Sequence, residues 1–168
     1  MVSNDPSEII VTHGLGSCIA VLVYDPVAKV GGLLHYMLPE SNLDRDKAIL
    51  RPCIFADTGI PILFQSAYQL GAAKSRMVVM AVGGAQMLDD NGTFNIGKRN
   101  HLAMRKIFWK AGVIVQREEI GGNNSRTVSI EVESGCVLMR SPGVADQYLG
   151  RTAMRRGAGD GLQHTHRR

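Results

Sequence analysis

Three residues near the N-terminus, Thr12, Cys18 and His35, have the types and spacing for nucleophilic chemistry. Residues 19–24 and 32–37 are short apolar runs with β-branched and aromatic members. Asp25-Pro26-Val27-Ala28 between them has turn composition, with proline presetting φ at the second position. The pattern predicts a β-hairpin. With a loop over 25–28, Tyr24 faces Lys29 and Cys18 falls directly opposite His35. Opposed residues on one face hold their Cβ atoms ~4.5–5.5 Å apart, so a thiol and an imidazole there can share a proton. A slip of one residue would send the two side chains to opposite faces.

A thiolate is the nucleophile in such a pair, and a neighbouring imidazolium lowers the thiol pKa. The imidazole then protonates a leaving amine and later activates water. Gly14 and Gly16 allow a tight backbone turn just before Cys18, a place from which N–H groups can aim at an oxyanion. Thr12 can accept a hydrogen bond from the second histidine nitrogen and fix its tautomer. Spacing alone leaves a plainer reading open, because free cysteine usually packs in a core and His35 can be a satisfied core histidine. His13 is a rival base, but it falls on a predicted turn. His101 falls on a predicted helix, and Cys53 and Cys136 have no comparable neighbours.

The elements that would position these groups follow from the rest of the pattern. Asp57 reads as the N-cap of a helix running to about Leu70, with Pro61 in its first turn and Gly71 as its stop. A buried-strand run over 77–82 is closed by Gly83-Gly84. A second helix opens at Asn95, runs to about Lys110 and ends at Gly112. Strands are predicted over 113–117, 127–132 and 137–140, with Gly121-Gly122-Asn123-Asn124 and Ser134-Gly135 as turns. The order β-β-α-β-α-β-β-β, with hairpins at both ends, predicts an α/β sandwich with a mostly antiparallel or mixed sheet and two main helices on one face.

The chain of 168 residues carries a formal net charge of +4 and a sequence pI near 9.1, with a mean hydropathy of -0.01. That basicity is not spread evenly. Residues 1–150 hold fourteen Lys/Arg against fourteen Asp/Glu, whereas 151–168 hold five arginines against Asp160. The sequence is therefore read as one domain over 1–150 and a disordered basic tail over 151–168. A tail without interleaved aromatics is weak support for nucleic-acid binding, so no specific nucleic-acid partner is expected. No apolar run approaches the ~20 residues of a membrane span, and none inserts in a membrane on this reading. The N-terminus lacks the pattern of a secretory signal. Three widely spaced cysteines without a CxxC pair suggest neither a disulfide scaffold nor a zinc site. A reduced, cytoplasmic protein is the expectation.

Several segments together resemble a known family. Thr12-His13-Gly14-Leu15-Gly16-Ser17-Cys18-Ile19-Ala20-Val21 and Gly31-Gly32-Leu33-Leu34-His35-Tyr36-Met37-Leu38-Pro39 are similar to the signature of the chemoreceptor glutamine deamidases, CheD. Ala56-Asp57-Thr58-Gly59-Ile60-Pro61, Gly83-Gly84-Ala85, Ile96-Gly97-Lys98-Arg99-Asn100 and Gly121-Gly122-Asn123 through Arg126-Thr127-Val128 extend the resemblance over about 9–140. It implies a three-layer α-β-β sandwich related to deamidating bacterial toxins. It also implies Cys18 as nucleophile, His35 as base and Thr12 as support, with no metal or organic cofactor. The implied substrate is a set of glutamines in the cytoplasmic helices of methyl-accepting chemoreceptors, converted to glutamate with release of ammonia. Some members of that family also bind the CheC phosphatase. Gly16, Ser17, Gly83, Gly84, Asn100 and Asn123 are the candidate substrate-binding positions. Rival readings are a non-catalytic module that docks on a receptor or a CheC-type phosphatase, and a different cysteine amidohydrolase or protease.

The sequence departs from the resemblance at two places. His13 stands where an apolar residue is usual. The residues before Thr12 read as loop, so the strand expected there is missing, which would leave a sheet edge exposed.

Overall fold

The computed structural model describes residues 1–86 and 95–150. The tail expected over 151–168 lies outside the described residues. Nine strands are described: β1 Val2–Ser3, β2 Ile9–Leu15, β3 Ile19–Asp25, β4 Val30–Tyr36, β5 Val78–Gly83, β6 Arg117–Ile120, β7 Arg126–Glu131, β8 Val137–Ser141 and β9 Val144–Gly150. Three helices are described: α1 Arg45–Leu50, α2 Ala56–Gln69 and α3 Ile96–Ala111. One sheet has the order β1-β4-β3-β5-β6 and the other β2-β7-β8-β9. Every pair is antiparallel except β5 with β6.

The central strand β3 is buried at every position, because the first sheet is covered on both faces. Ile19, Val21 and Val23 join a core with Ile60, Leu63 and Phe64 of α2 and Met104 and Phe108 of α3. Ala20, Leu22 and Tyr24 point the other way, into a second core with Ile10, Val128, Ile130 and Met139 of the other sheet. The layers are therefore helices, sheet, sheet, as expected, and the period of two along a strand assigns each β3 residue to one of the two cores. On β4 the same alternation sends Leu34 and Tyr36 to the helices and Leu33 and His35 to the space between the sheets.

Helix α2 buries Ala56, Gly59, Ile60, Leu63, Phe64 and Ala67, an i, i+3, i+4 stripe. Its N-cap is Phe55, not Asp57. Asp57 instead lies inside the first turn and accepts from the Ser41 N–H at 2.9 Å and the Ser41 O–H at 2.8 Å. Pro61 is thus past the first turn, where it forfeits one helical hydrogen bond on the exposed side of the helix. Helix α3 ends as expected, with Gly112 following and the Val113 N–H donating to Phe108 O.

Four segments differ from the sequence reading. The residues before Thr12 are not loop: β1 pairs with β4, and β2 runs from Ile9 through Thr12 to Leu15 against β7. The β4 edge is covered by a two-residue strand, a device that leaves little unpaired backbone. The strand expected over 113–117 begins only at Arg117, because Val113 and Val115 pack against the helix-side core as connecting chain. β9 escapes the pattern because five of its seven residues are exposed, and α1 because it buries none.

Asp25 anchors the turn that sets the hairpin register. Its side chain is fully buried and accepts from the N–H groups of Val27, Ala28 and Ala73 and from Arg76. Burial by itself would raise the carboxyl pKa; the Arg76 bond and the three backbone N–H groups outweigh it and hold the pKa at about 2. A pKa depressed from an ordinary 3.8 to about 2 corresponds to about 2 kcal/mol of stability. That stability is present above the unfolded value and is lost as pH falls from about 4 toward 2. Urea unfolding should therefore show the wild type losing about 2 kcal/mol across that window. Asp25→Asn should be weaker at neutral pH and should lack that part of the acid dependence.

Candidate active site

The hairpin loop lies over 26–29, one position later than expected. The Asp25 carboxylate closes a side-chain turn onto Val27 and Ala28, Lys29 takes a positive φ of 54°, and Asp25 pairs with Val30. His35 therefore stands opposite Ala20, not Cys18. This correction moves the pairing by two residues, so the faces are unchanged. Cys18 precedes Ala20 by two and packs against the core between the sheets, the side that His35 also faces. The two are diagonal neighbours, a relation with a spacing of ~7–8 Å in a regular ladder.

Thr12 reaches the same place from the other sheet. Thr12 Oγ1 and His35 Nδ1 are 2.8 Å apart, a bond between β2 and β4. With Nδ1–H as donor to the threonine oxygen, Nε2 carries the lone pair of the imidazole. Nε2 is buried and has no hydrogen-bond partner among the described residues. Alternation along β2 turns His13 outward, where its Nδ1 lies 3.4 Å from Thr127 Oγ1, so the rival base is on the wrong face. His13 lies on a strand rather than on the predicted turn. Between Thr12 and Leu15 the ladder with β7 shifts by one residue, with Gly14 at φ 66°. That bulge returns Leu15 to the interior, where it is fully buried, and aims the chain into the Cys18 loop.

The loop is held by its carbonyls. Gly16 O accepts from the Ala85 N–H at 2.8 Å, Ser17 O from Asn100 Nδ2 at 3.1 Å, and Cys18 O from the Gly84 N–H at 2.8 Å. Gly83 has φ 125°, and a Cβ there would lie 2.2 Å from Cys18 O, so only glycine lets β5 come this close. Gly83 and Gly84 are thus supports of the Cys18 loop. Asn100 is fully buried and also part of that support rather than of an exposed surface. Gly16 and Ser17 are half-buried beside Cys18, and Asn123 is exposed on the loop before β7. Next to that loop, Gly84, Gln86, Gly97, His101, Gly121 and Gly122 line a cleft of about 220 Å³.

Arg126, which sequence reading did not single out as a site residue, ties the two glycine turns together by donating to Gly121 O at 2.7 Å and Gly83 O at 3.3 Å. Its place in the Arg126-Thr127-Val128 motif was the available signal. His101 bonds Glu118 at 2.6 Å, and Cys53 is exposed on a 3-10 turn.

Burial pushes the Cys18 thiol up, partly offset by its own backbone N–H, and burial pushes the His35 imidazole down. Both shifts favour a neutral thiol and a neutral imidazole in the free protein. The arrangement can then deprotonate the thiol as it attacks, with the Cys18 N–H beside the sulfur as one donor for the oxyanion. A thiol and a base that are not yet hydrogen-bonded are common in ligand-free sites and tighten on substrate.

Comparisons with known proteins place the chain in a family. A family model described as CheD chemotactic sensory transduction matches residues 37–141, a span that begins just after His35. A protein of Syntrophus aciditrophicus (strain SB) named "Probable chemoreceptor glutamine deamidase CheD 1" is 54% identical over 142 residues, covering 84% of this chain and 89% of the relative. One from Solibacter usitatus (strain Ellin6076), "Probable chemoreceptor glutamine deamidase CheD", is 47% identical, covering 84% of each. The "Chemoreceptor glutamine deamidase CheD" of Thermotoga maritima is 41% identical over 139 residues, 83% of this chain and 85% of the relative. At these identities, over this much of each chain, the protein belongs to the CheD family.

Proposed function

We propose that this chain is a protein-glutamine deamidase acting on the cytoplasmic helices of chemoreceptors. The observation that carries the reading is the inter-sheet bond from Thr12 to His35, which orients an imidazole with an open Nε2 on the face shared with Cys18. The relatives' names supply the substrate. Cys18 Sγ attacks the carboxamide carbon as His35 Nε2 takes the thiol proton. The carbonyl oxygen becomes an oxyanion beside the Cys18 N–H. The C–N bond then breaks, and His35 returns the proton to the departing ammonia, leaving a thioester. Water, deprotonated by His35, attacks that carbon, the C–S bond breaks, and the thiol is restored with glutamate as product. Thr12 holds the imidazole ring throughout. Gly16 and Ser17 are the contacts nearest the scissile amide, and Asn123 lies on an outer loop where a long substrate helix would rest.

No helix among the described residues is long and apolar enough to cross a membrane. The reading places the protein in the cytoplasm with the receptor helices. A CheC-type phosphatase is a second partner on the family resemblance alone.

Peptide mass spectrometry of a recombinant chemoreceptor cytoplasmic fragment, before and after incubation with the full chain, tests the proposal. The expected result is glutamine-to-glutamate conversion at discrete sites with matching ammonia. A fragment with every glutamine intact would overturn it.

A further inference from the structure

Asn100, the fifth residue of α3, is fully buried, and its Nδ2 donates to two carbonyls from different parts of the chain. One is Ser17 O at 3.1 Å, immediately before Cys18; the other is Met37 O at 2.9 Å, two residues after His35. The backbone carbonyl of Asn100 also accepts from the Tyr36 O–H at 2.9 Å. The β3–β4 ladder ends at the pair Ile19–Tyr36. Beyond it the strands part, since the Met37 and Leu38 N–H groups turn to Ile54 O. The Asn100 amide therefore stands where the next rung of the ladder would be.

We infer that Asn100 is a positioning residue for deamidation, a buried cross-brace that sets the spacing between the Cys18 loop and the end of β4 that carries His35. A carboxamide suits the task, because one neutral nitrogen offers two N–H donors. A carboxylate there would offer none and would face two carbonyls. Asn100 Oδ1 is buried without a partner among the described residues, a standing penalty that stability alone does not account for. Burial, and then the neighbouring Cys18, push the Tyr36 phenol up, which keeps its O–H as a donor to the same brace. The inference rests on Cys18 and His35 being the reacting pair. Misplacing reacting groups by ~1 Å can cost about a hundredfold in rate, so the brace acts on turnover rather than on substrate affinity.

The test compares the full-length wild type with Asn100→Ala, Tyr36→Phe and Cys18→Ala. One readout is kcat and KM for ammonia release from a chemoreceptor cytoplasmic fragment. The other is the pH dependence of Cys18 alkylation by iodoacetamide, followed by peptide mass spectrometry, with exposed Cys53 as internal reference. Asn100→Ala is expected to lower kcat about ten- to a hundredfold with KM little changed. It should move the Cys18 alkylation midpoint downward relative to Cys53, because a loosened loop relieves the burial that holds the thiol up. Tyr36→Phe, which removes one oxygen, should act in the same direction more weakly, and it decides the matter if Asn100→Ala does not fold. A folded variant with wild-type kcat and an unmoved Cys18 profile overturns the inference, as does a loss confined to KM. Wild-type ammonia release by Cys18→Ala would instead sink the catalytic reading itself, so the two failures are distinguishable.

Discussion

Cys18→Ala is expected to release no ammonia above background from a chemoreceptor fragment while remaining folded. The nucleophile is removed outright, and the remaining groups cannot form a thioester. Loss of the attacking atom in covalent catalysis costs roughly three orders of magnitude or more in kcat. The fold should survive because Cys18 is only half-buried, lies outside the regular part of β3 and is held through its carbonyl by Gly84 rather than through its sulfur. A stability change of about 1 kcal/mol or less is expected, measurable by thermal unfolding. Parallel assays of Cys53→Ala, on an exposed 3-10 turn, should match the wild type. Ammonia release by Cys18→Ala at the wild-type rate would show that another residue attacks the amide.

The second large effect is at His35, and it carries a pH signature. His35→Ala should lower kcat/KM by about 10²–10⁴-fold, the usual contribution of a positioned general acid–base. Thr12→Ala loses one hydrogen bond to the ring and should cost up to about tenfold. The base form of His35 is the neutral imidazole, and burial lowers its pKa from an ordinary 6.5. A lowered pKa leaves more of the histidine neutral at any given pH. The wild-type kcat/KM should therefore rise with pH through a midpoint below 6.5, then stay level until the Cys18 thiol ionises, which burial places above the ordinary 9.0. A kcat/KM that instead falls as pH rises through a histidine limb above 6.5 would mean that the free protein holds a thiolate–imidazolium pair.

The burial of the central strand on both faces is legible in local pattern because its cause is local, whereas the division into two sheets came from the family resemblance. Ile19, Val21 and Val23 alternate with Ala20, Leu22 and Tyr24, and a strand with both sets apolar must be covered on both faces. The segments that escaped are those whose pairing costs little apolar surface. β9 is mostly exposed, α1 buries nothing, and β1 has two residues. The hairpin loop falls one position later than the pattern predicts because the Asp25 carboxylate takes the Val27 and Ala28 N–H groups into its turn, and its burial there depends on Ala73 and Arg76, distant in sequence.

By itself, the sequence singled out Thr12, Cys18 and His35 as candidates, through a resemblance that added to what spacing alone left open. It also placed Cys18 and His35 on one face, since side chains on a strand repeat every two residues and the register correction was a step of two. Only the tertiary structure decided that Thr12 meets Nδ1 from a different sheet, that His13 turns away, and that Gly84, Ala85 and Asn100 hold three successive carbonyls of the Cys18 loop. Those contacts join residues far apart in the chain. Strand alternation carries no information about which sheet lies against which, so packing between layers had to supply it.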